Sequence, residues 1–242
     1  VLTFKYLAKG TICLCAITVT LPFSTELSWG ESLKPPYSID VYRHKFRLLW
    51  RQGRLKEGRQ VADQALKYFG GDADLHNMRA IAALDQGDLQ ASLVDSSKAI
   101  TICPTFVGPY TTKGCALYGL GRTKESLCAF DKAIELSQGR YSFPYSQRAI
   151  VYFRMNMIDK AQKDLRKAIA ISSKDARARQ LQGDLYYRTG QYRMALNEYN
   201  QAVAYAPAMA DLYCGRASIR LKLDDTVGAL NDFDAALNLK PE

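Results

Sequence analysis

The amino-acid sequence predicts an all-α fold, a solenoid of about six helix-turn-helix hairpins stacked in a row. Three observations lead there. Small residues recur along the chain at a fixed interval of 34 or 35. Apolar residues fall at helical spacing throughout, and no alternating run rich in Val, Ile and Thr marks a strand. Turn residues punctuate the chain at the same interval as the small ones.

The interval is plainest on one alanine. Ala65, Ala99, Ala133, Ala168, Ala202 and Ala236 lie 34, 34, 35, 34 and 34 residues apart. An aliphatic residue follows each: Leu66, Ile100, Ile134, Ile169, Val203 and Leu237. Seven residues upstream the chain is always small, at Gly58, Ser92, Ser126, Ala161, Ala195 and Ala229. Nineteen residues upstream it is small again at Ala80, Gly114, Ala149, Gly183 and Ala217, with Phe46 the exception. Two antiparallel helices approach closely only where side chains are short, so these are packing positions between paired helices. Turn glycines stand at Gly53, Gly87, Gly121 and Gly190, with Asn156 and Asp224 in their place in two hairpins. Pro104, Pro207 and Pro241 close three of the repeats.

This pattern resembles the tetratricopeptide repeat (TPR), and QLQGDLYYRTGQYRMALNEYNQAVAYAP (Gln180–Pro207) carries nearly all of it. Repeats fit at 39–72, 73–106, 107–140, 142–175, 176–209 and 210–242, the first being weakest because Phe46 and Gly70 are off-pattern. The resemblance implies a right-handed superhelical solenoid that binds protein in a concave groove lined by the first helix of each hairpin.

The chain before the repeats is of another kind. Lys5 and Lys9 precede GTICLCAITVTLPF (Gly10–Phe23), a run without a charge. It is shorter than the about 20 apolar residues that a bilayer-spanning helix needs. Its length suits the apolar core of a secretory signal, and Ser28-Trp29-Gly30 offers a small-x-small site before Glu31. Residues 1–30 are therefore expected to be a signal peptide or a membrane anchor, and 31–38 (ESLKPPYS) a linker into the repeats at 39–242. The expected location is outside the cytoplasm, periplasmic or secreted, or at a membrane through this segment; a cytoplasmic one follows if the segment is not a signal.

Composition fits a folded, non-membranous body, with 48% apolar and 24% charged residues. A net charge of +9 favours acidic partners or anionic surfaces. The six cysteines form no C-x-x-C pair, and Cys13 and Cys15 sit in the leader, so they read as isolated small hydrophobes rather than a disulfide framework. His44 and His76 are expected to be solvated or groove-lining, without the further ligands that a metal site requires. The sequence holds no Gly-rich phosphate loop, G-x-S-x-G or H-E-x-x-H. No enzyme activity, cofactor or metal is expected.

Candidate recognition residues lie near the ends of the first helices. Trp50-Arg51, Leu84-Asp85, Tyr118-Gly119, Phe153-Arg154, Tyr187-Arg188 and Leu221-Lys222 form a ladder of aromatic or aliphatic residues, several followed by a cation. Such a ladder suits an extended peptide, stacking on its side chains and pairing its acids. Helix packing and complementation of the helix dipole account for the same residues equally well. A second candidate is Arg43, Arg47 and Arg51, which steps of four place on one helical stripe suited to carboxylates. The family's carboxylate clamp for chaperone tails would need Lys and Asn at Arg43 and Arg47, Asn at Met78, and Lys and Arg at Gly108 and Thr112; only Arg43 keeps its charge.

A protein or peptide partner is thus expected, acidic in character, with no nucleic acid. An RNA-reading helical repeat has a similar period, but the inward positions Asn77, Thr111, Ser146, Gln180 and Cys214 lack the repeated polar pairs such readers use. The other alternative is a structural subunit of an envelope assembly complex. On the last helix Leu230, Phe233, Leu237 and Leu239 cannot all face inward, so self-association through the C-terminal repeat is expected.

Overall fold

The computed structural model describes residues 37–239. The leader at 1–30, the linker up to residue 36 and the last three residues lie outside the described residues. Twelve α-helices and no strand are found among the described residues. They pair as α1 (Ile39–Arg51) with α2 (Leu55–Leu66), α3 (Ala73–Asp85) with α4 (Leu89–Ile102), and α5 (Val107–Gly119) with α6 (Thr123–Leu136). The series continues with α7 (Ser142–Arg154) and α8 (Ile158–Ile171), α9 (Ala176–Arg188) and α10 (Tyr192–Tyr205), and α11 (Ala210–Lys222) and α12 (Thr226–Leu239).

Each hairpin turns by one device. Gly53, Gly87, Gly121 and Gly190 have φ between 72° and 79°, and Asn156 and Asp224 adopt the same left-handed conformation at 60° and 59°. Asn and Asp reach this region more readily than other side-chain-bearing residues, which is why they substitute for glycine here. The next residue then donates its N–H to the carbonyl five back: Arg54 to Leu49, Asp88 to Ala83, Arg122 to Leu117, Met157 to Tyr152, Gln191 to Tyr186 and Asp225 to Arg220, all at 2.8–3.0 Å. These bonds satisfy carbonyls that the ended helix leaves open. Several helices also start on a side-chain cap, with Asp72, Asp88 and Asp175 accepting from the N–H of Leu75, Ala91 and Ala178.

The small positions are where the paired helices touch. The marker alanines are buried in all six hairpins. A Cβ added at Gly114 would stand 2.5 Å from Cε1 of Phe130, and one at Gly183 2.5 Å from Cδ2 of Tyr199. Phe46, the off-pattern residue, packs on Gly58, where an added Cβ would stand in ordinary contact at 3.6 Å, and the place of Phe130 and Tyr199 on the second helix is taken by buried Ala62. The first hairpin thus exchanges which helix carries the large side chain.

Hairpins stack because each second helix packs on the first helix of the next hairpin. First helices also meet one another, α1 on α3, α3 on α5, α5 on α7 and α7 on α9, and second helices form no comparably close pairs. A stack whose first helices lie closer together curves with those helices inside. No described helix is long and apolar enough to cross a membrane.

A second rhythm, two repeats long, overlies the first. Arg79 bonds Asp95 through Nε and Nη2, both at 2.6 Å, and Asp63 of the preceding hairpin through Nη1 at 2.8 Å. Arg148 makes the same fork to Asp164 (2.7 and 2.8 Å) and reaches back to Asp131. Arg216 forks to Asp232 (2.9 and 2.6 Å) and reaches back to Asn200 at 3.1 Å. Lys45, Lys113 and Gln182 hold the equivalent place in the alternate hairpins. Each arginine therefore fastens its own two helices and the hairpin before it.

Candidate peptide-binding groove

The first-helix face is assembled from side chains that the helical period brings to one side of α1, α3, α5, α7, α9 and α11. Trp50 is half exposed near the end of α1, and its indole N–H donates to Asp85 Oδ2 at 2.7 Å across to α3. Tyr118 and Phe153 are half-buried at the same place on α5 and α7, and Arg51 and Arg154 are exposed beside Trp50 and Phe153. Tyr187 on α9 is half-buried, with its ring 5.5 Å from that of Tyr192. Arg188 is exposed; its guanidinium lies 4.2 Å from the centre of the Phe153 ring. Arg188 also donates to the Phe153 carbonyl at 3.3 Å and to Asn156 Oδ1 at 3.2 Å. The ladder residues are brought into one series, and at two steps, Trp50–Asp85 and Phe153–Arg188, they tie successive first helices together.

The arginine stripe on α1 is less open than its sequence suggests. Arg43 is bound by Asp72 at 2.7 Å, Asp74 at 3.1 Å and Asp40 at 3.4 Å. Burial lowers the proton affinity of this guanidinium, but Asp72 and Asp74 outweigh it and raise the pKa overall. Arg47 is mainly in solvent, 3.9 Å from Asp74, and Arg51 is exposed. Burial also raises the pKa of the Asp74 carboxyl, against the pull of Arg43 and Arg47. The stripe offers two accessible cations, Arg47 and Arg51, rather than three.

Several inward positions are packing residues. Asn77, Thr111 and Ser146 are buried. Thr112 Oγ1 donates to Asn77 Oδ1 at 3.0 Å, linking α5 to α3. Gln180 remains half-buried and Cys214 exposed. This set presents no run of polar pairs to a base.

His76 corrects an expectation. It is buried rather than solvated, with Nδ1 3.2 Å from Asp95 Oδ1 and Nε2 3.1 Å from the Gly70 carbonyl. Its ring joins the Arg79–Asp95 fork and pins the loop after α2. His44 is exposed. Lower in the groove, Asp184 on α9 accepts from the Tyr199 hydroxyl, and burial raises its carboxyl pKa against that bond.

Among the described residues no group of three or more His, Cys, Asp or Glu side chains is placed to hold a metal ion. Chemically the face offers half-exposed rings, guanidinium groups and bridging carboxylates. What sequence reasoning missed is the Trp50–Asp85 bond between two steps of the ladder and the forks of Arg79, Arg148 and Arg216. A signal for the forks was present: an Asp stands sixteen residues after each Arg, and the arginines are 69 and 68 residues apart.

Three family models match the chain: one described as Tetratricopeptide repeat at residues 45–104, another so described at 144–175, and a TPR repeat at 183–224. Together they cover more than half of the sequence. Stress-induced-phosphoprotein 1 of Caenorhabditis elegans is 25% identical over 190 residues, 65% of this chain and 59% of that protein. The Hsp70-Hsp90 organizing protein of Triticum aestivum is 25% identical over 185 residues, 74% of this chain and 31% of that protein. The chain thus spans less than two thirds of the length of these relatives. The crystal structure of a thermophilic TPR protein of Thermus thermophilus superposes with a TM-score of 0.71 at 24% identity, covering 75% of this chain and 98% of that one.

Proposed function

The chain belongs to the tetratricopeptide repeat family, and from that premise we propose that its first-helix face holds an extended, acidic segment of a protein partner. The observation that carries this reading is the ledge on α7 and α9, where half-buried Phe153 and Tyr187 lie beside the exposed cations Arg154 and Arg188. Rings supply apolar contact with little entropy to lose, and cations select for acidic side chains. The relative named for organising Hsp70 and Hsp90 supports a role in binding proteins. Chaperone-tail recognition by the familiar clamp is not part of the proposal, because Arg43 is already occupied by three aspartates.

An array of acidic 12-residue peptides probed with the chain tests this reading. Tyr187→Ala with Arg188→Ala should weaken retention of the bound peptides roughly tenfold or more, while far-UV helicity is kept. Unchanged retention by the double variant would rule out the ledge. We further propose that the chain acts outside the cytoplasm or at a membrane, on the support of the leader's charge and apolar pattern. N-terminal sequencing of native protein should begin near Glu31; recovery of Val1 from a cytosolic fraction speaks against it. Self-association through the C-terminal repeat belongs to the same reading, supported by the exposed apolar residues of α12.

A further inference from the structure

The first and last described hairpins expose opposite halves of the same joint. At every internal junction, a second helix offers apolar residues to the first helix that follows. The places filled by Phe233 and Leu237 on α12 are held upstream by such pairs as Phe130 with Ile134 and Tyr199 with Val203, each buried or half-buried. On α12 Leu230 and Leu237 are 61% and 66% exposed, and Phe233 is exposed beside them. The receiving side shows the same contrast. Val41 and Leu48 on α1 are 42% and 45% exposed. Their counterparts, Leu75 with Ala82, Ala178 with Leu185 and Leu212 with Ile219, are all buried, on first helices that pack on the second helix before them.

We propose that α12 of one copy of this chain receives α1 of a second copy, in the register of the internal junctions. The proposal rests on the self-association reading and gives it a geometry. Charge favours this occupant. At the internal joints made by the forks, an acid or amide on the earlier second helix (Asp63, Asp131, Asn200) meets an arginine on the next first helix. At the two joints without a fork the corresponding pairs are Ser97 with Lys113 and Arg166 with Gln182. The joint between copies would set exposed Asp234 opposite Lys45, an acid against a base as in the forks. The contact is heterologous, since α12 meets α1 and not another α12. Each added copy leaves a free end of either kind, so assembly is open-ended and grows with concentration.

Sedimentation velocity on the full 242-residue chain tests the joint with two end-blocked variants, Phe233→Glu with Leu237→Glu and Val41→Glu with Leu48→Glu. These residues are exposed, and far-UV circular dichroism checks that each variant stays folded. The parent chain should show a weight-average mass that rises with concentration. Each variant alone should sediment as a monomer, and an equimolar mixture should form a one-to-one dimer that grows no further. Asp234→Lys should weaken parent assembly roughly tenfold, and Lys45→Asp in the same chain should restore it. A parent that stays monomeric at high micromolar concentration overturns both this joint and self-association, leaving the α12 face to another protein or a further stretch of chain. If the Val41/Leu48 variant still dimerises and the Phe233/Leu237 variant does not, self-association stands and the head-to-tail joint is wrong. Association of both variants to the parent's extent also overturns it, since a surface common to all three would then be the cause.

Discussion

Arg188 lies over the ring of Phe153, one repeat earlier, with 4.2 Å between guanidinium carbon and ring centre. The same side chain reaches Asn156, the residue that turns α7 into α8. One cation thus joins two candidate recognition residues and a left-handed turn. An exposed contact of this type is worth about 0.5–1 kcal/mol. In a double-mutant cycle of Arg188→Ala and Phe153→Ala, followed by urea unfolding, the two losses should be coupled by about that amount. Strict additivity would show that the stacked pair adds nothing to the junction.

Asp164 is almost fully buried, and Arg148 supplies its fork. Arg148→Met leaves that carboxylate without a partner, a change that costs about 3 kcal/mol for a buried pair. Replacing both, Arg148→Met with Asp164→Leu, should return most of the loss, because the pair's attraction is largely offset by its desolvation. Lys113 holds the same place one hairpin earlier, with Ala129 rather than an aspartate sixteen residues on, so Lys113→Met should change stability by less than about 0.5 kcal/mol. Equal losses at Arg148 and Lys113 would remove the two-repeat rhythm as a feature of stability.

The turns were legible in the chain because αL geometry accepts very few residue types, so Asn156 and Asp224 could be matched to glycines by position alone. Phe46 was visible as an exception but not as half of an exchange with Ala62; that needs the distance between two helices. The forks were written at a spacing of sixteen, yet they occur in every second hairpin, and aligning single repeats mixes Arg79, Arg148 and Arg216 with Lys45, Lys113 and Gln182. His76 was misplaced for a different reason. A histidine's burial depends on what its two nitrogens meet, and here these are a carbonyl and an aspartate from separate segments. The ladder was legible as a row, whereas its cross-links through Asp85 and Asn156 depend on how far one hairpin turns against the next.

Gly114 faces Phe130 so closely that an added methyl group would lie 2.5 Å from the ring. Alanine favours a helix interior by about 1 kcal/mol over glycine. Overpacking a full core costs about 1–3 kcal/mol, and Phe130 is buried with no open side to move into. Gly114→Ala should therefore lower stability by a net amount of up to about 2 kcal/mol in urea unfolding. Adding Phe130→Leu should recover part of that loss, since the smaller side chain withdraws from the new methyl. A stabilised single variant would mean that the two helices separate freely, contrary to close packing at the small positions.

Cys115 lies on the first-helix face of α5, half-buried, with Sγ 3.5 Å from Gln147 Oε1. Burial pushes its thiol pKa up to about 12, and the Asp85 carboxylate adds to the shift. The thiolate is the reactive form, and at pH 8 a group with that pKa is ionised to only on the order of 10⁻⁴. Cys128 and Cys214 are exposed. Iodoacetamide at pH 8, followed by peptide mass spectrometry, should modify Cys128 and Cys214 in the folded protein while Cys115 stays free until urea is added. A ligand seated on the groove near α5 would leave that result unchanged at Cys128, which is on the second helix α6, and slow labelling at Cys214 on the first helix α11 only if it extends that far. Labelling of native Cys115 as fast as Cys214 would show that α5 is not held against α7 as described, and with it the continuity of the first-helix face would fail.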